Sequence, residues 1–199
     1  MSQVRYGFSV EARGQTPGWF EQVHGNAVLD LTGRGPQPPL APADAGFTRG
    51  AERIHVFTAD CLPVLLHGST PDAPVAAIHA GWRGALAGIV KETLALWDYP
   101  RAQTTAILGP AIGPCCFEVR ADFVRAFADA GKPTAPFTQE RGGKLFFDLA
   151  SFVVETQLPG VFKVQRGENV CTFCSEPRLP SYRRNGNTDT RLRAWIHKN

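Results

Sequence analysis

The chain has 199 residues, of which 43% are hydrophobic, 20% charged and 10% aromatic, so it can bury one sizeable core and is not a disordered chain. A net charge of +3, from 21 basic and 18 acidic residues, is too mild to point to nucleic acid. No short-period repeat indicates a solenoid, and no apolar run approaches the roughly 20 residues that cross a bilayer.

The opening residues, Met1-Ser2-Gln3-Val4-Arg5-Tyr6-Gly7, lack the apolar segment and small-residue cleavage site of an export signal. A single cytoplasmic domain over 1–199, with no membrane partner, is the expectation. Residues 4–10, 19–23 and 27–31 read as short strands, the last two joined by a tight turn at His24-Gly25-Asn26. Residues 32–46, rich in Gly, Pro and Ala, read as an excursion loop. Residues 53–58, 62–67 and 75–80 are almost continuously apolar, as buried strands are.

From Arg83 to Trp97 the period changes. Leu86, Ile89, Val90, Thr93, Leu94 and Trp97 recur at steps of three and four, which puts one apolar stripe along a helix. Residues 104–108 read as a strand running into the turn Gly109–Gly113, and 121–130 as a helix stopped by Gly131. Residues 144–147 read as a strand, followed by Asp148 as N-cap of a helix over 149–158. Strands at 161–165 and 192–197 close the chain. Strands outnumber helices without strict alternation, so the class is α/β, with a mixed β-sheet and helices packed outside.

Three groups stand out chemically. His24 sits at the tip of the early turn, Cys61 at the break after Thr58-Ala59-Asp60, and His79 at the end of the run Val75–Ile78. Side chains from neighbouring strand ends converge in such places. If these three meet, a thiolate and two imidazoles form a three-ligand site with one position open, the arrangement of a catalytic zinc. The competing reading is an inert core thiol and two histidines satisfied by hydrogen bonds. Five cysteines, an odd number, argue against a disulfide framework. Cys171-Thr172-Phe173-Cys174 lacks a second CxxC pair, and the adjacent Cys115-Cys116 is expected to diverge, so all four read as buried or idle thiols. His55, His67 and His197 are assigned no chemistry. From Arg178 to Asn199 six basic residues face one acid, Asp189. This is a solvated face or, since guanidinium forks match phosphate, an anion site.

Several strings together resemble one bacterial family: Gln22-Val23-His24-Gly25, Thr58-Ala59-Asp60-Cys61-Leu62-Pro63-Val64, His79-Ala80-Gly81-Trp82-Arg83-Gly84, Gly109–Gly113 with Phe117-Glu118-Val119, Asp148-Leu149, Cys171-Thr172 and Ser181-Tyr182-Arg183-Arg184. It is the family long labelled laccase domain or polyphenol oxidase (YfiH-like) and now regarded as purine nucleoside phosphorylases. The resemblance implies zinc held by His24, Cys61 and His79, and phosphorolysis of adenosine, inosine, guanosine and methylthioadenosine. It also implies adenosine deamination as a second activity, and an α/β sandwich like that of a Cys–His toxin deamidase. Arg83 and Arg183 are then candidates to neutralise phosphate, and Asp60 to orient a histidine or to hold a turn. The protein would act as a monomer or homodimer.

Two departures from the family pattern stand out. Only residues 10–21 separate Gly7-Phe8-Ser9 from Gln22, where family members carry several dozen, so a pocket wall is expected to be missing or to come from a partner chain. Near the end, Asn185–Arg191 replaces the usual DGxTGR pattern with one residue extra. Copper oxidation is disfavoured, because the five histidines include no His-x-His pair and the only methionine is Met1. Two other readings stand beside the phosphorylase. In one, Cys61 is a nucleophile with His79 as base, in a hydrolase or amidase that edits peptidoglycan precursors. In the other, the zinc is structural in a non-enzymatic interaction domain.

Overall fold

The computed structural model describes residues 4–35, 40–167 and 170–199. In chain order the elements are β1 (Val4–Ala12), β2 (Val28–Asp30), β3 (Ala45–Thr48), β4 (Ile54–Thr58), β5 (Leu62–Gly68), β6 (Val75–Ala80), α1 (Trp82–Ala87), α2 (Ile89–Leu96), β7 (Thr104–Leu108), β8 (Glu118–Val119), α3 (Ala121–Asp129), β9 (Thr138–Arg141), β10 (Lys144–Phe147), α4 (Leu149–Gln157), β11 (Lys163–Arg166), α5 (Tyr182–Asn185) and β12 (Thr190–Lys198). They form a six-stranded mixed sheet in the order β11-β7-β5-β6-β3-β2, a three-stranded sheet β1-β12-β4, and a small sheet β8-β10-β9.

The large sheet is buried on both faces, and strand alternation divides its residues between two cores. Leu65, Val75, Ala77 and Ile107 pack against Ile54, Val56, Ala194 and Ile196 of the three-stranded sheet. Their neighbours Val64, Leu66, Ala76, Ile78 and Ala106 pack against Ile89, Val90, Leu94, Trp97, Phe152 and Val153 of the helices. The expected mixed α/β fold with outer helices is the observed one.

Several local expectations differ from the structure. Residues 19–23 form no strand beyond a single parallel bridge, Glu21 to Pro42. The expected excursion loop over 32–46 runs at its end into β3, whose first two residues, Ala45 and Gly46, it includes and whose four residues are all buried. Its small side chains give little strand signal, but Gly46 is needed where Leu31 and Phe20 press in, since a Cβ there would lie 2.5 Å from Leu31 Cδ1. The helix expected over 83–97 breaks at Gly88, which has a left-handed φ of 87°. The break is held by the buried Gln157. Its amide donates to the Ala85 carbonyl at 2.7 Å and accepts from Val90 N at 3.0 Å, satisfying the end of one helix and the start of the next. The hairpin partner β9 and the short α5 lie outside the expected elements. Asp148 does cap α4, accepting from Ser151 N at 2.9 Å.

The small sheet and α3 are fixed by aromatic packing. Phe147 is fully buried, with its ring centroid 4.9 Å from that of Phe123, 5.3 Å from Phe127 and 5.7 Å from Phe152. Phe147→Ala should cost about 3–5 kcal/mol in urea unfolding, whereas Phe162→Ala, at a side chain 73% exposed, should change stability by less than about 0.5 kcal/mol.

Candidate metal centre

β4 and β5 belong to different sheets, so the residues between them turn a corner of the sandwich. Asp60 stands at that corner with φ 87°, a conformation a non-glycine residue rarely adopts. Its carboxylate accepts from Thr172 Oγ1 at 2.7 Å and Arg183 N at 2.6 Å, and its carbonyl accepts from Ile112 N at 2.9 Å. These bonds over-determine the strained backbone and set Cys61 at the mouth of β5. The ladder pairs Pro63 with His79 and Leu62 with Ala80, which leaves Cys61 and Gly81 as the next positions outward. A Cβ on Gly81 would lie 3.1 Å from Cys61 Sγ and 3.0 Å from His24 Cδ2. Glycine there lets the thiol and imidazole approach the backbone.

His24 arrives on a loop held at three points. The Gln22 amide donates to the Phe57 carbonyl at 2.7 Å and accepts from Phe57 N at 2.8 Å, pairing with β4 as a strand would. Asp44, fully buried, accepts from His24 N at 2.9 Å and Gly25 N at 2.6 Å, which stabilises the left-handed φ of 62° at His24. Gly84 in α1 lies so close that a Cβ would be 2.7 Å from the Gly25 carbonyl oxygen.

The donor atoms of His24, Cys61 and His79 lie within 4.8 Å of one another. A tetrahedral zinc with nitrogen and sulfur ligands spans edges of about 3.3–3.8 Å, so the set fits such an ion. His79 is buried at the end of β6, Cys61 is half-buried and His24 is exposed, so the cluster opens to one side. His79 Nδ1 is 2.7 Å from Asp44 Oδ1, which commits that nitrogen and leaves Nε2 for a ligand, with the carboxylate fixing the tautomer.

Asp60, the sequence candidate for orienting a histidine, holds the turn instead, and Asp44 occupies the orienting position. Burial works to raise the Asp44 carboxyl, but hydrogen bonds from His79, Gly25 and His24 outweigh it and keep it below its ordinary value. Burial would likewise raise the Cys61 thiol, yet the His79 charge and hydrogen bonds from both imidazoles lower it to about 6. His79 is raised to about 9, burial being outweighed by the Cys61 thiolate and Asp44. Without metal each group thus favours the charged form of the other.

A cavity of about 920 Å³ adjoins the three side chains, lined by Phe20, Phe57, Trp82, Phe117 and Tyr182 and by the guanidinium-bearing residues Arg13, Arg83, Arg183 and Arg191. The short 10–21 segment contributes Arg13, Gly14, Thr16, Gly18 and Phe20, so it forms a wall of the cavity itself. Arg183 is preset, with both terminal nitrogens donating to the Glu118 carbonyl at 3.0 Å. Arg83 lies over the Trp82 ring at 4.3 Å. Arg13 escaped the sequence reading. It donates to Asn187 Oδ1 at 3.0 Å, the same oxygen that Arg191 approaches at 3.4 Å. Burial and the Arg13 charge lower the Arg191 guanidinium, against the pull of Asp189. Two cations meeting at one cavity rim favour an anion between them.

Most of the remaining basic tail is structural. Arg184 donates to the carbonyls of Thr172 and Phe173, and Lys198 to those of Arg49 and Ala73. His55 is satisfied by the Pro17 carbonyl and His67 by that of Gly68. The expected divergence of Cys115 and Cys116 is not observed: Cys115, Cys116, Cys171 and Cys174 place their sulfurs within 4.8 Å of one another. Adjacent side chains diverge on an extended strand, but Cys115 and Cys116 lie in a turn and Cys174 ends another, and turns let neighbours point the same way.

Comparison with known proteins shows the family. Residues 6–198 match the family model described as multi-copper polyphenol oxidoreductase laccase. The chain is 40% identical over 177 residues to the Escherichia coli protein named purine nucleoside phosphorylase YfiH, covering 86% of this chain and 70% of that one. It is 38% identical to a purine nucleoside phosphorylase of Aquifex aeolicus, covering 88% and 80%. Among solved structures, Neisseria meningitidis protein NMB0706 is similar with a TM-score of 0.76 at 32% identity, covering 91% of this chain and 74% of that one. YlmD of Geobacillus stearothermophilus is similar with a TM-score of 0.77 at 28% identity, covering 92% and 73%. On its fold, its motifs and these likenesses, the chain belongs to the multi-copper polyphenol oxidoreductase laccase family, among relatives named purine nucleoside phosphorylase.

Proposed function

We propose that this chain is a zinc-dependent purine nucleoside phosphorylase, acting on adenosine, inosine, guanosine and methylthioadenosine, with adenosine deamination as a second activity. The observation that carries the reading is the convergence of His24, Cys61 and His79 beside a cavity rimmed by arginines. The names of its relatives support it. His24, Cys61 and His79 would hold the ion, which when bound supplies Lewis acidity to the reactant on its open side.

The chain's own residues account for the rest. Phosphorolysis joins a phosphate oxygen to the anomeric carbon as the bond to the purine nitrogen breaks, so the site must gather a dianion and a flat, largely apolar base. Arg183, anchored on Glu118, and Arg83 are positioned to take phosphate oxygens. Phe20, Phe57 and Trp82 offer ring faces to the base. Asp44 holds His79 in one tautomer, so a donor nitrogen faces the cluster in every cycle.

The low value of the Cys61 thiol beside His79 favours one other reading, a Cys–His hydrolase in which Cys61 attacks an amide carbon. A purely structural zinc would call for a fourth protein ligand, and among the described residues this cluster has three.

Incubation with adenosine should release free adenine only when phosphate is present, as read by chromatography. Cys61→Ser and His79→Ala should lose both the zinc of this three-residue centre and turnover while keeping the far-ultraviolet spectrum. Phosphate-independent activity that survives metal removal and is abolished by iodoacetamide would favour the hydrolase.

Asp44→Asn should weaken zinc binding about 10- to 100-fold, measured by competition with a chromophoric chelator. Unchanged affinity would remove Asp44 from the site.

In metal-free protein the rate of iodoacetamide attack on Cys61 should rise with pH through about 6, well below the roughly 8.5 of an ordinary thiol. The sign follows from the thiolate being the reactive form: it persists above its lowered value and is lost as pH falls through it. Added zinc should protect the residue.

A further inference from the structure

Two loops meet on the far side of the Asp60 corner. The turn 113–117 carries Cys115 and Cys116, and the turn 171–175 carries Cys171 and Cys174. Backbone bonds already align them: Thr172 N donates to the Ala111 carbonyl at 3.1 Å, within the bridge between Ala111 and Cys171. The four sulfurs lie within 4.8 Å of one another, and those of Cys115 and Cys174 are 3.7 Å apart. A zinc ion with sulfur ligands at about 2.3 Å has tetrahedral edges of about 3.8 Å, which the Cys115–Cys174 pair matches and which lies within the spread of the other sulfurs. We propose that Cys115, Cys116, Cys171 and Cys174 form a second, tetrathiolate zinc site, separate from the His24–Cys61–His79 centre and structural in role.

Two further observations favour a metal over four idle thiols. Gly113 N donates to Cys171 Sγ at 3.3 Å, the kind of backbone bond that steadies a ligand thiolate. Four thiolates around one dication leave a net negative charge, and two guanidinium groups lie against the loops that carry them. Arg141 donates to the Cys115 carbonyl at 3.1 Å, and Arg184 to the Phe173 carbonyl at 2.7 Å. With four protein thiolates as ligands, such a site would leave no open coordination for substrate and would act as a clamp. The loops it would join bear directly on the cavity: Thr172 bonds Asp60, Phe117 lines the wall and the Glu118 carbonyl holds Arg183. The zinc would therefore set the position of the phosphate-facing arginine without touching the reactants.

The test is metal stoichiometry of the whole chain, purified under reducing conditions with zinc supplied. Wild-type protein should hold two zinc ions, Cys61→Ser one, Cys174→Ser one, and the double variant none. Cobalt substituted into Cys61→Ser should give the intense ligand-field bands of a tetrahedral tetrathiolate, and Cys174→Ser should lower the melting temperature. Cys174 is exposed, so its replacement leaves the fold intact, and the wild-type and Cys61→Ser counts decide the matter even without it. One zinc in wild type that vanishes in Cys61→Ser overturns the proposal, as does iron or a pair of disulfides in place of zinc. If only the catalytic reading fails, a single zinc persists in Cys61→Ser and is lost in Cys174→Ser.

Discussion

A single buried carboxylate organises the site. Asp44 sits just before β3 and accepts from the backbone of His24 and Gly25 and from the imidazole of His79, while its own carbonyl accepts from His79 N at 2.7 Å. One residue thus fixes a loop, a strand end and a tautomer together. A carboxylate buried without such partners would be costly. Its hydrogen bonds are what allow it to remain charged, and that charge in turn holds His79 in place. Removing any of the three groups leaves the others unsatisfied in a dry interior, so the arrangement is cooperative.

The second constraint is the sandwich corner. The chain must leave the three-stranded sheet and enter the six-stranded one between Thr58 and Leu62, which forces Asp60 into a left-handed conformation. Partners from the 111–113 turn and the C-terminal segment hold it there. Those same segments carry the four clustered cysteines and Arg183. The strained corner, the thiol cluster and the cavity wall are therefore one connected unit, and a shift in any of them is felt at Cys61.

Much of the site was legible because it consists of reactive residue types at the ends of apolar runs. His24, Cys61 and His79 stand at such breaks, and the family strings joined them. Asp44 was not legible. It lies in a stretch of small residues, Pro42-Ala43-Asp44-Ala45-Gly46, that reads as loop, and the strand forming there answers to packing by Leu31 and Phe20 rather than to propensity. Arg13 was hidden for a related reason, since its place at the cavity depends on Asn187, 174 positions away. The convergence of the four thiols was not legible either, because Cys115 and Cys116 lie in a turn, where neighbouring side chains can point the same way.

The sequence alone determined the periodicities, the buried strands read at 53–58, 62–67 and 75–80, the capped helix after Asp148 and the residue types able to bind metal. Those follow from local chemistry and solvent exclusion, which act over a few residues. The tertiary structure decided which sulfurs and rings share a point, which carboxylate orients a histidine and which arginines face the cavity. Those depend on pairing between distant segments, where a one-residue change of register moves every side chain to the opposite face, and no local pattern encodes that choice.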